Sequence, residues 1–307
     1  MREERVLVAG ATGYLGGFVA REFKRRGYFV RALARSADKL QAMGWELDEI
    51  VEGEVTKPET IRGICEGMDV VFSSIGITKQ KDNLTFQDVD YQGNRNLLEV
   101  ARRAGVRKFI YTSVFRGPSL LHLAIVKAHE DFVAVLRTSG MEYTIVRPTG
   151  FFSDMGEYLS MARKGRVYLM GDGSNRINPI HGADLASICV DAVDQDIQEM
   201  DVGGPEVLTH GEIARLALTA AGKTHRITSI PVWVMRASIS LVRVFNRHQG
   251  ELLAFLTEAM SSDAVAPMTG YRTLAQHFRE LAAASGGWEP DGGGVTKNHM
   301  RSEHRRR

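Results

Sequence analysis

The chain has 307 residues, of which 44% are hydrophobic and 25% charged, the balance of a globular protein that can bury a large core. Its formal net charge of +2 comes entirely from residues 285–307, so the rest is neutral and a nucleic-acid-binding surface is not expected. A cytoplasmic protein is expected, because Cys65 and Cys189 lie in separate apolar segments, no uncharged apolar run could span a bilayer, and Met1–Glu4 leaves no room for a signal peptide.

The first forty residues predict a strand, a glycine-rich turn, a helix and a second strand. The apolar run Arg5–Ala9 is typical of a buried parallel strand, residues 17–26 have a helical pattern, and residues 28–33 predict the next strand. The turn reads Gly-Ala-Thr-Gly-Tyr-Leu-Gly over residues 10–16. In a dinucleotide-binding turn the first glycine permits the bend, the second lets the backbone approach a pyrophosphate, and the third lets helix and strand pack closely. The amides at the helix start would hold the negative charge, so this stretch predicts a dinucleotide site.

Arg35, directly after the second strand, indicates which dinucleotide is bound. An acidic residue here would bond the ribose 2′-hydroxyl of NAD, whereas an arginine suits the 2′-phosphate of NADP. Ser36 and Lys39 lie close by, and no acid occurs between Arg35 and Asp38. We therefore predict NADP(H) as the cofactor, in preference to NAD.

Strands and helices continue to alternate up to about residue 150. Strands are predicted over residues 46–54, 69–74, 106–113 and 143–147, and helices over residues 37–43, 56–65 (capped by Thr56), 86–104 and 120–139. Residues 79–83 predict a loop. This alternation predicts an α/β protein with a Rossmann-type doubly wound parallel sheet over residues 1–150.

Ligands of such a sheet lie beyond the carboxyl ends of its strands, and this rule selects the candidate cofactor residues. The segments after the predicted strands should meet around one crevice. The residues predicted to bind the cofactor are Gly10, Thr12, Gly13, Tyr14, Leu15, Gly16, Arg35, Lys39, Glu54, Val55, Ser74, Ile75, Gly76, Lys127, Pro148 and Phe151.

Residues 151–284 predict a smaller, mostly helical substrate lobe interleaved with the Rossmann core. Helices are predicted over residues 154–164, 183–193, 210–221, 232–247, 252–260 and 273–284, with short strands over 167–170, 200–203 and 226–230. The tail, residues 285–307, is rich in glycine and arginine and is predicted to be disordered.

The predicted helix at 232–247 leaves two interpretations open. Arg236, Ser240, Arg243 and Arg247 share one narrow face of an otherwise apolar helix. Such a helix can lie on a membrane surface, but it is more often a lobe helix with a solvated stripe. A peripheral membrane contact is therefore an alternative to the simpler interpretation.

Several segments resemble the short-chain dehydrogenase/reductase superfamily, in its extended or atypical branch. They are VLVAGATGYLGG, FIYTSV, the helix containing Lys127, and YTIVRPTGFF. The second half, with KGRVYLMGDGSNRINPIHGADLASICVDAV, GGPEVLTHGEIARLAL and YRTLAQHF, is similar to a narrower group. That group includes NmrA-like proteins, the NAD(P)H-binding accessory subunit of complex I, and divinyl chlorophyllide 8-vinyl reductase. The resemblance extends to about residue 284.

The superfamily's usual active site is a Tyr-x-x-x-Lys pair with a Ser or Thr at the end of the fifth strand. By this resemblance Lys127 and Ser113 are the candidate catalytic residues, and Lys127 would also bond the nicotinamide ribose. The position four before Lys127 is Leu123, so the tyrosine that would donate a proton is missing. Water, His122, Tyr91 or the substrate itself remain as alternative proton sources.

Other polar and aromatic side chains have simpler explanations. Tyr111, two residues before Ser113, is expected in the core. Phe151 or Phe152 either walls the nicotinamide pocket or packs in the core. His181 and Asp184 are expected to order the start of the helix at 183 rather than to bind a metal.

Together these patterns predict an NADPH-dependent reductase that acts on a bulky or apolar small molecule. Reduction of a conjugated double bond is favoured, because solvent can protonate the resulting carbanion without a tyrosine acid. The alternative is a non-catalytic NADPH-binding protein, either a redox sensor or an assembly subunit. The sequence does not distinguish oligomeric states.

Overall fold

The computed structural model describes residues 3–77, 84–224 and 226–284. The predicted loop at 79–83 and the predicted disordered tail at 285–307 lie outside the described residues.

The described strands build one large sheet and two small ones. They are β1 Arg5–Ala9, β2 Phe29–Ala34, β3 Glu49–Glu52, β4 Val70–Ser73, β5 Lys108–Thr112, β6 Glu142–Pro148, β7 Val167–Met170, β8 Arg176–Ile177, β9 Glu199–Val202, β10 Leu208–Thr209 and β11 Ile227–Ile230. The large sheet has the order β3-β2-β1-β4-β5-β6-β9, with every neighbouring pair parallel. The strand order reverses between β1 and β4, as in a doubly wound sheet, so the predicted fold class is confirmed.

Helices cover both faces of this sheet and form most of the second half. They are α1 Tyr14–Arg25, α2 Ala37–Gln41, α3 Asn94–Arg103, α4 Ala124–Arg137, α5 Phe152–Arg163, α6 Gly182–Asp191, α7 His210–Ala220, α8 Val232–Phe245, α9 Arg247–Ser261 and α10 Leu274–Ala283. A π-helical segment, Gln87–Gly93, leads directly into α3.

The central strand β1 shows why the sheet is buried on both sides. Successive side chains of a strand point to opposite faces. Val6 and Val8 pack in a core with residues of α1 and α6, whereas Leu7 packs in a second core with residues of α3 and α4. Because both faces of the sheet carry apolar side chains, both must be shielded from water, and the flanking helices shield them.

The second half of the chain completes the Rossmann core as well as forming a lobe. β9 pairs with β6 at the edge of the large sheet, and α6 packs along α1. Helices α5, α7 and α10 share a separate apolar cluster, and the α8–α9 hairpin packs against α4 and the π-helical segment. The strand predicted near residue 200 therefore belongs to the first sheet and not to the lobe.

The helix predicted over residues 56–65 is wrong. Only a short 3-10 turn, Pro58–Ile61, forms there, and the Thr56 hydroxyl donates to the Glu54 carboxylate instead of capping a helix. Gly63 and Gly67 both have positive φ angles, which are incompatible with a continuing right-handed helix. The helix predicted over 86–104 is correct in extent, but its first part is π-helical.

Within the described ranges, we find no helix that combines the length and the apolar character needed to cross a membrane.

Candidate functional site

The turn after β1 is built so that only glycine fits at its two ends. Gly10 has a φ of +88°, and a Cβ there would lie 2.9 Å from Ser74 Oγ. A Cβ at Gly16 would lie 2.1 Å from the Gly10 carbonyl oxygen. The turn is closed by a hydrogen bond from Gly13 N to Gly10 O at 2.9 Å. It therefore has the tight bend and the close helix–strand contact that the sequence predicted.

The amino end of α1 is available to an anion. Gly13 is exposed at the cap position, no side chain caps the helix, and its first turn carries no acidic residue. The first amides of a helix have no intrahelical partner and carry a partial positive charge. Thr12 is half-buried beside this end and Leu15 is buried beneath it. A pyrophosphate fits this end of the helix by charge, and a Cβ at Gly13 would lie 3.2 Å from the Gly10 carbonyl oxygen, so glycine also suits the tight turn at this position.

Tyr14 connects the turn to the second half of the chain. Its hydroxyl accepts a hydrogen bond from Gly182 N at 3.0 Å, and its ring meets Phe151 edge-on at 5.9 Å between centroids. Phe151 is half-buried, whereas Phe152 is 1% exposed and belongs to the core. Of the two adjacent phenylalanines, Phe151 is thus the one beside the glycine turn.

The loop after β4 lies beside the glycine turn. The loop after β4 touches the glycine turn, because Ser74 is the residue that a Gly10 Cβ would strike. Asn94 Nδ2 donates to Ile75 O at 3.2 Å, and Ile77 N donates to Asp90 Oδ2 at 3.3 Å, so the π-helical segment and α3 hold this loop. Pro148, at the end of β6, is buried.

The end of β2 carries an exposed positive charge. Arg35 and Lys39 are both exposed, and Arg35 lies within electrostatic reach of Glu54. Hydrogen bonds from Lys57 and Thr56 lower the pKa of the Glu54 carboxyl, and Arg35 adds to that effect. Next to Glu54, Val55 is buried, and its carbonyl accepts from Asn96 at 2.8 Å.

The Ser113 hydroxyl is hydrogen bonded to both members of a buried ion pair. Its hydroxyl donates to Glu130 Oε1 at 2.9 Å and accepts from Arg147 Nη1 at 3.3 Å. Glu130 and Arg147 are themselves paired at 2.5 Å, and both are almost fully buried. The hydroxyl therefore joins β5, β6 and α4 in one polar cluster, and it faces this pair.

Lys127 does not meet Ser113. Its side chain is 58% exposed and Nζ binds both carboxylate oxygens of Asp131, one turn along α4, at 2.6 and 2.8 Å. Of the predicted alternative donors, His122 is exposed, and Tyr91 is half-buried in the π-helical segment. The catalytic pair inferred from the resemblance is thus not assembled in this structure.

A different polar cluster lies beside the loop after β4. The Tyr111 hydroxyl is hydrogen bonded to His129 Nδ1 at 2.6 Å, and His129 Nε2 lies 3.1 Å from Asp90 Oδ1. A Cβ at Gly76 would lie 3.0 Å from Asp90 Oδ1 and 3.5 Å from His129 Nε2. Burial raises the pKa of Asp90 and the pKa of Tyr111. Tyr111 is fully buried, as predicted.

No pattern in the sequence indicates that His129 and Asp90 form a pair. His129 stands two residues after Lys127, and consecutive α4 positions differ by about 100° around the axis, so the two point apart. Asp90 lies in a run that reads as ordinary helix, yet it forms π-helix, a feature frequent at functional sites. A carboxylate–imidazole pair 39 residues apart in sequence leaves no spacing signal.

The predicted roles of His181 and Asp184 are confirmed in part. His181 Nδ1 accepts from Ala183 N at 3.1 Å at the start of α6. Asp184 instead accepts from Tyr271 N and Arg272 N at 3.1 and 3.0 Å and pairs with the Arg272 guanidinium. It anchors the segment before α10. Cys65 and Cys189 are both buried and free.

Comparison with known proteins agrees with this geometry. The model of the protein family described as NAD(P)H-binding matches residues 10–196. The photosystem II assembly factor Ycf39 of Synechocystis is 30% identical over 249 residues, which cover 78% of this chain and 75% of that protein. A chloroplastic divinyl chlorophyllide a 8-vinyl-reductase of Oryza sativa is 30% identical over 319 residues, covering 91% and 78%.

Solved structures of two reductases share the fold. An NADPH-dependent quinone oxidoreductase of Escherichia coli, in complex with NADPH, superposes with a TM-score of 0.71 at 18% identity, covering 90% of this chain and 99% of that one. The triphenylmethane reductase of Citrobacter, in complex with NADP(H), has a TM-score of 0.70 at 18% identity, covering 92% and 100%. The resemblance drawn from the sequence motifs is thereby confirmed.

Proposed function

The chain belongs to the NAD(P)H-binding family of Rossmann-fold proteins, and from that premise we propose that it is an NADPH-dependent reductase of the atypical short-chain type. Its substrate would be a bulky, apolar small molecule reduced at a conjugated double bond. The observation that carries the proposal is the His129–Asp90 pair, a titratable group placed beside Gly76 at the carboxyl end of β4. A protein that only bound the nucleotide would have no need of it there.

The cofactor would be held by the loops at the strand ends. The pyrophosphate would rest on Gly10–Gly16, and Arg35 with Lys39 would bind the 2′-phosphate. Thr12, Tyr14, Leu15, Glu54, Val55, Ser74, Ile75, Gly76, Pro148 and Phe151 would complete the site. When bound, NADPH supplies a hydride.

Proton delivery would depend on His129. Its Nε2 lies 3.1 Å from Asp90 Oδ1, so the carboxyl group can orient the ring, and burial raises the pKa of the Asp90 carboxyl, which favours a proton on the pair. Tyr111 fixes the other ring nitrogen. We assign no proton transfer to Ser113, whose hydroxyl lies between the charged groups of Glu130 and Arg147, or to Lys127, whose exposed side chain pairs with Asp131 on α4.

An apolar substrate is favoured by the surroundings of this pair. Ile77 and Val114, in the loops after β4 and β5, pack against the apolar cluster that joins α4 with the α8–α9 hairpin. A conjugated acceptor is favoured because Leu123 stands where the tyrosine acid is expected, and solvent can protonate the carbanion that hydride addition to a conjugated double bond would leave. The relative named for reduction of a vinyl group supports the same class of chemistry.

The reductase is tested by following NADPH oxidation at 340 nm with enone, quinone and vinyl-porphyrin substrates. His129→Asn should lower kcat about 100-fold while NADPH affinity is kept, because general acid catalysis contributes about 10²–10⁴. His122→Asn, a change of the exposed histidine, is the matched control. Absence of turnover with all three classes, or a His129→Asn variant as active as the wild type, contradicts the proposal.

Cofactor preference is tested by titrating NADPH and NADH. Arg35→Ala should weaken NADPH binding roughly 10–100-fold and leave NADH binding unchanged, since a charged hydrogen bond contributes about 1.5–3 kcal/mol. Arg102→Ala removes a comparable exposed arginine on α3 and should change neither affinity. A wild type that binds both coenzymes equally would show that Arg35 does not select NADPH.

A non-catalytic NADPH-binding assembly subunit is the second candidate. Two observations favour it. Leu123 replaces the tyrosine expected four residues before Lys127, and Ser113 and Lys127 are hydrogen bonded to Glu130 and Asp131. The relative named as an assembly factor supports it as well. NADPH binding without turnover would select this function over the reductase.

A further inference from the structure

The outward face of α8 is covered by large apolar side chains. Trp233, Leu241, Val244 and Phe245 are 71%, 63%, 79% and 82% exposed. At 100° per residue, Trp233, Leu241 and Val244 lie within about 80° of one another around the helix axis, and Phe245 extends the same face. An exposed apolar face of this kind marks a docking surface.

The charged side chains of α8 and of the first turn of α9 are all basic. From Val232 to Gly250 the chain carries Arg236, Arg243 and Arg247 and no acidic residue. Arg243 pairs with Glu251, whereas Arg236 and Arg247 are exposed and pair with no carboxylate among the residues described. The charge is local, because residues 1–284 taken together are neutral.

The opposite face of α8 is firmly packed. Ile239 is 7% exposed and lies in the cluster formed with α4 and α9, and His248 stacks on Phe86 at 4.6 Å between ring centroids. A Cβ at Gly250 would lie 2.4 Å from Arg243 Cγ, so the two helices of the hairpin cross at close contact. The exposed apolar residues therefore belong to a fixed helix with its inner face already buried.

We propose that α8 docks the protein onto an anionic lipid bilayer, lying flat in the headgroup region. Trp233, Leu241, Val244 and Phe245 would enter the acyl boundary, and Arg236 and Arg247 would bind lipid phosphates. Aromatic and aliphatic residues beside arginines are the composition of interfacial helices. A second copy of the chain fits less well, because α8 offers no acidic side chain to meet the arginines of its partner.

Docking would also bring the candidate active site next to the lipid phase. The inner side of the hairpin packs on the cluster that includes Ile77 and Val114, in the loops beside His129. An apolar substrate dissolved in the bilayer would have a short path to the crevice. This consequence depends on the proposed function, whereas the docking itself does not.

The test is flotation of the full-length protein with vesicles, without NADPH or substrate. Wild type should bind vesicles of 30% phosphatidylglycerol in phosphatidylcholine. Its partition coefficient for vesicles of pure phosphatidylcholine should be at least tenfold lower. Leu241→Asp/Val244→Asp should lower the partition coefficient at least tenfold, and Arg236→Gln/Arg247→Gln several-fold. Met268→Asp, at an apolar side chain 64% exposed elsewhere, and Arg102→Gln/Arg103→Gln, which removes two charges from α3, should bind as wild type.

A second measurement places α8 in the lipid and does not depend on a destabilising variant. Brominated acyl chains should quench the tryptophan fluorescence of the bound protein. Trp233→Phe should remove that quenching, and Trp45→Phe, which alters a ring packed against the core, should keep it.

Three results would overturn the proposal. They are no binding to anionic vesicles at low salt, equal binding by the Leu241→Asp/Val244→Asp variant with its circular dichroism preserved, and quenching that persists in Trp233→Phe. A wild-type dimer in analytical ultracentrifugation that Leu241→Asp/Val244→Asp dissociates, without vesicle binding, would assign the face to a second copy.

Discussion

At the scale of single residues, burial separates the side chains that hold the fold from those that can act. Ser113 and Lys127 come from the same motif, yet one is 5% exposed in total and the other 58% exposed at its side chain. Their neighbours explain the difference. Ser113 completes the buried Glu130–Arg147 pair, whereas Lys127 makes a single-turn ion pair on the surface.

Removal of the two side chains should therefore affect stability very differently. Ser113→Ala removes the hydroxyl that is hydrogen bonded to the buried Glu130–Arg147 pair. It should lower the free energy of unfolding by about 1–3 kcal/mol. Lys127→Ala removes an exposed ion pair and should change it by less than about 0.5 kcal/mol. Urea titrations of both variants measure this, and a Ser113→Ala variant as stable as wild type would contradict it.

A pair of histidines should make the fold sensitive to acid. His181 and His277 lie 5.5 Å apart between ring centroids, and burial lowers the pKa of each to about 4. An unfolded histidine has a pKa of about 6.5, so between these values the unfolded chain binds more protons than the folded one. Stability should consequently fall as the pH falls from about 6.5 to about 4.

Replacing one of the pair should flatten this dependence. Between pH 7.5 and pH 5.0, His277→Phe should lose up to about 2 kcal/mol less stability than wild type, because one proton-binding site is removed. Denaturant unfolding at both pH values measures the difference. His122→Phe, at an exposed position, should lose as much as wild type; equal losses in all three proteins would show that His277 does not titrate as described.

At the scale of elements, specific polar contacts hold the segments before α10 to α6 and to the segment after β8. Asp184 in the first turn of α6 accepts two backbone amides of the segment before α10 and pairs with Arg272. Asn178 holds the neighbouring segment, since its Nδ2 donates to Ala266 O at 2.9 Å and its Oδ1 accepts from Ala266 N at 3.1 Å. These contacts fix the carboxyl-terminal helices to the Rossmann core.

Asp184→Ala should accordingly destabilise the protein by about 2–3 kcal/mol. A fully buried pair that loses one partner costs about 3–5 kcal/mol, and the figure is reduced here because Arg272 is 37% exposed. Asp191→Ala, on the same helix but in an exposed pair with Arg26, should cost less than about 1 kcal/mol. Thermal and urea unfolding of both variants make the comparison, and equal losses would argue against the anchoring role.

The π-helical segment, Gln87–Gly93, contacts two parts of the candidate site, the loop after β4 and His129. Its Asp90 side chain accepts a hydrogen bond from Ile77 N and contacts His129. Asn94, the first residue of α3, is hydrogen bonded to both Ser73 and Ile75. One helix thus holds the loop after β4 and places a carboxylate beneath it. The unusual winding lies at the point where these contacts are made.

At the scale of the whole molecule, the chain should fold as one cooperative unit. β9 and α6, both beyond residue 150, cover the edge of β6 and one face of α1. Without them the core cluster that contains Val6, Val8 and Val19 would be open to water. The Rossmann core therefore draws on both halves of the sequence.

A fragment of residues 1–150 should for this reason fail to fold and to bind NADPH. Circular dichroism and NADPH fluorescence measure the two properties, with residues 1–284 as the control that retains β9 and α6. A fragment 1–150 that binds NADPH with the affinity of the full chain would show that the first half folds independently.

The sequence by itself determined the doubly wound α/β fold, the glycine turn and the family. These are local properties, since apolar runs, a bend that needs glycine and Arg35 after a strand are all set within a few residues. Even there, the helix predicted over residues 56–65 is wrong, because only a short 3-10 turn forms and the chain has a positive φ angle at Gly63.

Only the tertiary structure decided which side chains meet. It paired His129 with Asp90, turned Lys127 outward, engaged Ser113 with Glu130 and Arg147, and placed β9 in the first sheet. It also showed that the apolar face of α8 is exposed. Such contacts join residues far apart in sequence, and their distances follow from packing, which no local pattern of residues encodes.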